Sequence, residues 1–324
     1  MKLEVGAIGE WTSRCRVRIA SCAAGAALAA LAAVATAGCG GGSAALIVYE
    51  AKGGDNVTNV WTIDPASGAS TQITRGTSFD GNPGWSPDHK QIAFISDRDR
   101  GGHMEDIYIA RADGSDARRI TTSTGSTHNW SPKFSPDGKQ IAYVTVEGGR
   151  SYYVSLMNVD GTNQRRITDA YKFAEFPAWT RDGSLVYFSA IGQDKGDPDL
   201  YSVDVRTYEA RTRVSTPAAD VCPHFTHDGK TLTYASVAPG QESGGNVDLF
   251  AHDLTSGTDS TANDQRLTTD PSTDDYGNPS PDDKSIVFIT HRDGNGELYL
   301  MDRDGGNQRR LTNTPDIDEN VPDW

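Results

Sequence analysis

One sequence pattern recurs six times between residue 46 and the C-terminus. The pattern consists of an apolar strand, an aspartate-rich loop, a second apolar strand, a turn that is Asp-Gly in three copies, a segment like RRIT, and a turn like SPDGK. The apolar residue of the RRIT segment recurs at spacings of 47, 47, 47, 53 and 44 residues, at Ile73, Ile120, Ile167, Val214, Leu267 and Leu311. A period of this length without a helical pattern predicts propeller blades of four strands each.

The second copy shows how each unit divides into strands. Two-residue alternation predicts strands over 91–96, 107–112 and 117–121, and the innermost strand of the next blade over 130–134. The SPDGK turns take their shape from proline and from a glycine in the left-handed conformation. His89 and Asp283 replace this glycine in two copies, and both residue types tolerate that conformation better than most.

The two ends of the chain complement one another. The first copy begins at residues 46–49, which match the second strand of a blade, and residues 321–324 match the innermost strand that ends at Trp85. The C-terminal strand should therefore pair into the N-terminal blade and remove the exposed sheet edge. The sequence predicts an all-β, six-bladed β-propeller of four-stranded blades over residues 45–324.

The N-terminus reads as an export signal. Basic residues precede a short alanine- and leucine-rich run, and Thr36-Ala37-Gly38-Cys39 resembles a bacterial lipobox. We expect residues 1–38 to be a lipoprotein signal peptide, Cys39 to carry the lipid, and residues 39–44 to form a Gly/Ser tether. A secretory signal cleaved near Ala37, or an uncleaved anchor, is the alternative. Cys222 would then be the one cysteine left over, and a buried thiol is expected there.

Charge limits the class of partner. Residues 1–38 hold four of the 30 Lys and Arg residues and two of the 44 Asp and Glu residues. Residues 39–324 therefore carry 26 basic and 42 acidic residues, a net charge of −16. A balance this acidic argues against nucleic acid or an anionic membrane surface as the main partner. The Arg pairs at 118–119, 165–166 and 309–310 fall on predicted outermost strands, where charge blunts edge pairing.

Acidic and amide residues recur near the start of each innermost strand. Counting back three residues from the prolines at 83, 132, 177, 223, 279 and 322 gives Asp80, Asn129, Ala174, Asp220, Tyr276 and Glu319. Glu175 and Asp275 each lie one position away from this series. The sequence therefore predicts a ring of candidate binding residues at the channel mouth, together with His128 and His224.

Two interpretations of this ring remain open. Convergent carboxylates suit a cation such as Ca²⁺ or a basic segment of a protein partner. Alternatively, the same side chains accept local backbone hydrogen bonds, as Asp and Asn often do. Further acids are expected on the outer loops of the same face, at Asp97, Asp99, Glu105, Asp106, Asp194, Asp197, Asp199, Glu242, Asp293 and Glu297.

Signals for catalysis are sparse in this sequence. His128 and His224 are the one pair expected near the channel axis, and a metal-dependent lyase or hydrolase would need more ligands and a convergent base. No G-x-S-x-G, H-E-x-x-H or phosphate-binding loop occurs. We expect a monomeric, non-catalytic binding protein that needs no cofactor, with a propeller lyase or hydrolase as the alternative.

The repeats resemble those of the TolB-like propellers, a family of WD40-like repeats of the PD type. The segments that carry the resemblance are FSPDGKQIAYVT at 134–145 and MNVDGTNQRRIT at 157–168. The resemblance implies six blades, a protein partner at the channel mouth, no catalysis, and a place in the bacterial cell envelope. TolB itself carries an α/β domain before its propeller, so this chain looks like a TolB-like propeller lipoprotein rather than TolB. Similar repeats also occur in propellers attached to peptidases and sensor proteins.

Overall fold

A computed structural model describes residues 45–193, 195–237 and 246–324. These residues form six four-stranded antiparallel sheets, which confirms the predicted six-bladed β-propeller. The predicted signal peptide, the lipid site at Cys39 and the tether lie outside the described residues, as do Asp194 and Glu242. No helix in the described part of the chain has the length and apolar character needed to cross a membrane.

Each sheet runs outward from the central channel. Blade 1 consists of β24 (Asp318–Asp323), β1 (Ile47–Lys52), β2 (Thr58–Ile63) and β3 (Ser70–Gln72). Blade 2 consists of β4 (Asp80–Trp85), β5 (Gln91–Ser96), β6 (Asp106–Arg111) and β7 (Arg118–Arg119). Blade 3 consists of β8 (His128–Phe134), β9 (Gln140–Glu147), β10 (Ser151–Asn158) and β11 (Arg165–Arg166).

The second half of the ring repeats this order. Blade 4 consists of β12 (Phe173–Trp179), β13 (Leu185–Ile191), β14 (Asp199–Asp204) and β15 (Ala210–Val214). Blade 5 consists of β16 (Asp220–Phe225), β17 (Thr231–Val237), β18 (Val247–Asp253) and β19 (Gln265–Arg266), with 3₁₀ turns at Leu254–Ser256 and Thr261–Asn263. Blade 6 consists of β20 (Asp274–Pro279), β21 (Ser285–Thr290), β22 (Glu297–Asp302) and β23 (Arg309–Arg310).

The outermost strand of blade 2 is shorter than the predicted strand over 117–121. The Thr121 hydroxyl accepts the Ile107 N–H at 2.9 Å and donates to the Asp106 carboxylate at 2.8 Å. The Ile107 N–H is therefore bonded to a side chain instead of to a backbone carbonyl of the outermost strand. Arg119 forms an ion pair with the same carboxylate. In blade 2 the RRIT segment therefore ends the ladder and neutralises a buried acid. The three Arg pairs lie on the outermost strands β7, β11 and β23, as predicted.

The turns confirm the expected replacements of glycine. His89 has a φ of 53° and Asp283 a φ of 57°, both left-handed. The Asp283 carboxylate also reaches the preceding blade, where it accepts the N–H groups of His227 and Asp228 at 2.6 and 2.8 Å. A residue that fills the turn of one blade thus also ties that turn to its neighbour.

The C-terminal strand closes the ring, as the sequence predicts. β24 pairs antiparallel with β1, with Asn320 opposite Glu50 and Asp318 opposite Lys52. The Trp324 indole donates to the Ala45 carbonyl at 2.9 Å. The first and last residues of the propeller therefore belong to one sheet.

Asp323 extends this closure to three other blades. Its carboxylate accepts the Trp85 N–H of blade 2 at 2.7 Å and the Asn278 amide of blade 6 at 3.0 Å. It also forms an ion pair with Lys133 of blade 3. Burial alone would raise the pKa of Asp323, but Lys133 and the Trp85 N–H outweigh burial and hold that pKa below its ordinary value.

Removing the Asp323 charge should weaken the closed ring. Breaking a buried ion pair costs about 3 kcal/mol, so we expect Asp323→Asn to lower the free energy of unfolding by about that amount at pH 7. A carboxylate whose pKa is depressed by folding stabilises above its unfolded pKa of about 3.9 and stops doing so as pH falls through the folded value.

Urea titrations at pH 7 and pH 3 measure this effect. The difference between the wild type and Asp323→Asn should shrink at pH 3. Asp316→Asn, at an exposed position, is the matched control and should stay close to the wild type at both pH values. An equal loss at both pH values would show that Asp323 acts through packing rather than through charge.

Candidate functional site at the channel neck

Every innermost strand carries a β-bulge at the same level of the channel, and the neck is defined here by the six left-handed residues at these bulges. The register of each innermost strand shifts at this point. The φ angles are 46° at Asn82, 50° at Ser131, 54° at Phe176, 54° at Cys222, 53° at Tyr276 and 46° at Val321. Bulges of this kind redirect a side chain and are common beside functional sites.

The neck stores backbone strain. A left-handed conformation costs a residue other than glycine roughly 1–2 kcal/mol, and a β-branched residue such as Val321 adopts it only exceptionally. The proline that follows five of the six residues disfavours the right-handed helical alternative. Such strain is concentrated at functional sites in proteins generally, which marks the neck as the candidate site.

Side chains close the channel at the neck. Phe176 of blade 4 and Tyr276 of blade 6 meet edge to face, with ring centroids 5.1 Å apart. The cavity that remains has a volume of about 10 Å³, which has room for about one water molecule. Its walls are Asn82, Pro83, Ser131, Pro132, Lys133, Phe176, Pro177, Pro223, His224, Tyr276 and Val321.

The neck has a polar arc and an aromatic arc. In the polar arc, the Asn82 N–H and side-chain amide donate to the Glu50 carboxylate at 2.7 and 3.4 Å. The Ser131 hydroxyl donates to the side-chain Oδ1 of Asn82 at 2.9 Å. The aromatic arc on the other side holds Phe176 and Tyr276. The wall therefore offers both hydrogen bonding and stacking to whatever meets it.

His224 lies two residues after the neck residue Cys222, lines the same cavity and is 9% exposed. Its Nδ1 is 3.2 Å from the Cys222 carbonyl oxygen. Burial, together with the nearby Lys133 charge, lowers the pKa of His224 to about 4, so the ring is neutral at pH 7. Cys222 is buried and forms no disulfide, as expected from the sequence.

The structure does not bring the two predicted histidines together. His128 begins β8 above the neck and packs on Trp130, with ring centroids 5.0 Å apart. It stands four residues before Pro132, whereas His224 stands one residue after Pro223. A strand rise of about 3.3 Å per residue separates these two levels by roughly 15 Å. No group of three or more His, Cys, Asp or Glu in the described chain could hold a metal ion.

Three of the predicted carboxylates, at Asp80, Asp220 and Glu319, are buried and bond to neighbouring protein groups. Asp80 pairs with Arg98 at 2.9 Å. Asp220 accepts the Thr216 N–H and the Ser236 hydroxyl, both at 2.7 Å. Burial raises the pKa of Asp220 to about 6 and that of Glu319 to about 7, so the channel mouth is less negative than the composition suggests.

The other predicted members differ in their surroundings. The Asn129 amide donates to the Ser123 hydroxyl at 2.6 Å and accepts the Thr145 hydroxyl at 3.3 Å. Glu175 lies in β12 and is largely buried. Several acids predicted on the outer loops are also buried in pairs: Asp106 with Arg119, Asp199 with Lys195, and Glu297 with Arg310.

The predicted register of β20, the innermost strand of blade 6, was wrong. Gly277, not Pro279, occupies the proline position in blade 6, because Tyr276 is the left-handed residue there. Asp274 therefore takes the place assigned to Tyr276, and it pairs with Arg292 at 3.2 Å. The serine of the SPDGK-like turn is a better reference point for this count. Six residues before Ser86 and Ser135 stand Asp80 and Asn129, and six residues before Ser280 stands Asp274.

Asp275 is the exception among the predicted residues. It is 8% exposed, and one carboxylate oxygen has no hydrogen-bond partner. Burial, with a contribution from the Asp274 charge, raises the pKa of Asp275 to about 8. The group is therefore protonated at neutral pH unless a positive charge approaches it.

Comparison with known proteins assigns the chain to a family. The family model described as the TolB β-propeller domain matches residues 33–195 and 149–324. The chain belongs to the TolB β-propeller family. The uncharacterized peptidase YuxL of Bacillus subtilis (strain 168) is 30% identical over 181 residues, which are 55% of this chain and 25% of YuxL.

Solved structures share the fold. TolB from Acinetobacter baumannii superposes with a TM-score of 0.72 at 21% identity, over 88% of this chain and 67% of that one. A putative TolB from Agrobacterium tumefaciens superposes with a TM-score of 0.64 at 18% identity, over 85% of this chain and 96% of that one. The chain spans a quarter of YuxL, so the activity, substrates and partners of the whole relatives enter only as proposals.

The Asp275 carboxyl should make stability depend on pH. Its folded pKa lies above the unfolded value of about 3.9, so stability falls as pH rises from about 4 to 8 and stays lower above that. Each pKa unit corresponds to about 1.4 kcal/mol. We therefore expect Asp275→Asn to raise the free energy of unfolding by several kcal/mol at pH 9 and by much less at pH 5.

Urea unfolding of both proteins at pH 5 and pH 9 checks this expectation. Asp316→Asn again serves as the control, because it removes an exposed carboxylate instead of a buried one. A stabilisation by Asp275→Asn that is the same at both pH values would contradict the raised pKa.

Proposed function

We propose that this protein is an exported, membrane-tethered, non-catalytic propeller that binds a protein or peptide partner. The partner docks on the face that carries the channel mouth and the loops after the second and fourth strands of each blade. The observation that carries this proposal is the closed neck, where Asn82 and Ser131 present polar side chains and Phe176 and Tyr276 present aromatic ones. The neck leaves about 10 Å³ of free volume, which fits a contact surface better than a pocket for a small substrate.

Family membership supports the same proposal. Relatives of the TolB type share the propeller, and the fold of A. baumannii TolB overlaps most of this chain. The peptidase named among the relatives is matched over only a quarter of its length. The alternative of a lyase or hydrolase at His128 and His224 gains no support from the separation of these residues.

Asp275 suggests what the partner contributes. A buried carboxyl without a partner for one oxygen gains most from a positive charge, which would lower its pKa and ionise it. A Lys or Arg of the partner, or a Ca²⁺ ion held with the partner, supplies that charge. The proposed docking therefore includes a basic group that reaches Asp275, the residue before Tyr276 in β20.

Photo-crosslinking in the native cell tests the docking face. A photoreactive residue at Arg150, exposed on the β9–β10 loop of the docking face, should give a discrete crosslinked band. The same residue at Lys139, 80% exposed on the opposite face, is the matched control and should not. Bands of equal yield from both positions, or a band from Lys139 alone, would reject the docking face.

Fractionation tests the tether. If Cys39 carries the lipid, Cys39→Ala should move the protein from the membrane to the soluble fraction, because the acyl chains supply the binding energy. Cys22→Ala, inside the predicted signal, is the matched control and should remain in the membrane fraction. Membrane association of Cys39→Ala equal to that of the wild type would exclude lipidation at Cys39.

A further inference from the structure

Blade 4 differs from the other five blades at its outer edge. Its outermost strand, β15, has five residues, whereas the outermost strands of the other blades have two or three. Ala210, Arg211 and Thr212 are exposed, and only Val214 at the far end is buried. A longer outermost strand presents a longer row of backbone groups that no other strand of the sheet uses.

The register shows which groups point outward. The Asp204 N–H donates to the Glu209 carbonyl at 3.0 Å, so these two residues form a hydrogen-bonded pair across β14 and β15. Such pairs alternate along an antiparallel ladder, and Arg211 opposite Ser202 is therefore the next one. The N–H and C=O groups of Ala210 and Thr212 consequently point away from the sheet.

The side chains beside this edge have the composition of a binding surface. Tyr208 is 46% exposed and is one of two exposed large hydrophobic residues in the described chain. Its hydroxyl accepts a hydrogen bond from Arg165 at 3.3 Å. The Arg211 side chain is 68% exposed and forms an ion pair at 3.2 Å with Glu209, which is equally exposed. Exposed pairs of this kind are weak, so a carboxylate of a partner can compete for Arg211. Tyr and Arg are the residue types enriched at the energetic centres of protein interfaces.

We propose that the free edge of β15 binds an extended, acidic segment of a protein partner by adding a strand to blade 4. Backbone groups of Ala210 and Thr212 supply the main-chain hydrogen bonds. Arg211 and Arg165 supply charge complementarity, and Tyr208 gives an apolar contact. This edge lies on the rim of the propeller, so the proposal goes beyond docking at the channel mouth.

Charge argues for this occupant over a second copy of the chain. Pairing two copies of β15 through the outward groups of Ala210 and Thr212 would set the two Arg211 side chains directly opposite each other, and like charges directly opposite are destabilising. The register of β15 shifts at Arg213, which is an extra residue in the ladder. The regular edge available to a partner strand is therefore limited to residues 210–212. A short acidic segment matches both the length and the charge of what remains.

Fluorescence anisotropy with a defined peptide tests the proposal on the full chain. The probe is a labelled peptide of four Glu-Val repeats, and its control is a peptide of four Glu-Pro repeats, which has the same charge but cannot form a ladder. We expect the Glu-Val peptide to bind and the Glu-Pro peptide not to. Amide exchange at Ala210 and Thr212 should slow only with the Glu-Val peptide.

Three variants locate the site. Arg211→Glu and Thr212→Pro should each weaken binding by about tenfold or more, equivalent to about 1.4 kcal/mol. Proline is tolerated on edge strands, and at Thr212 it removes an outward N–H without breaking a bond to β14. Arg118→Glu, on the two-residue strand β7, is the matched control and should change the affinity less than about twofold.

Specific results would overturn the edge site. Equal weakening by Arg118→Glu and Arg211→Glu would indicate general electrostatic attraction. Equal binding of the Glu-Pro peptide would indicate that no strand is added. Failure of Thr212→Pro to weaken binding, with a melting temperature equal to that of the wild type, would place the peptide elsewhere.

Discussion

The pairing of β24 with β1 is the contact on which the rest of this structure depends. It joins residues at opposite ends of the propeller into one sheet, so the six blades form a closed ring. Asp323 strengthens the closure by contacts to blades 2, 3 and 6 at once. The six bulges can meet at a common level of the channel only because the ring is closed.

Closure also explains why the candidate site is a surface. Inward-facing side chains from all blades fill the channel at the neck, and the Phe176–Tyr276 contact leaves little space between them. Much of the acidity seen in the composition is neutralised by local arginines or by raised pKa values. The surfaces proposed for recognition are the aromatic and polar neck, together with Asp275, and separately the edge of β15 on the rim.

The sequence predicts the fold well because its signals are local and repeated. Turn residues such as His89 and Asp283 could be recognised from the pattern alone, and so could the matching chain ends. The site was harder to predict, because burial decides what each carboxyl does. Asp80 and Asp275 look alike in sequence, yet one pairs with Arg98 and the other keeps an oxygen without a partner. The contact between Lys133 and Asp323 spans 190 positions and has no local signature.

Hydrogen exchange on a chain lacking residues 321–324 tests the central claim most directly. If closure holds the ring together, amides of the innermost strands in all six blades should lose protection together in the shortened chain. Adding a synthetic peptide of residues 318–324 should restore protection in part. Loss confined to blade 1, with β8, β12 and β16 still protected as in the intact chain, would show that the blades are stable without closure and would contradict this account.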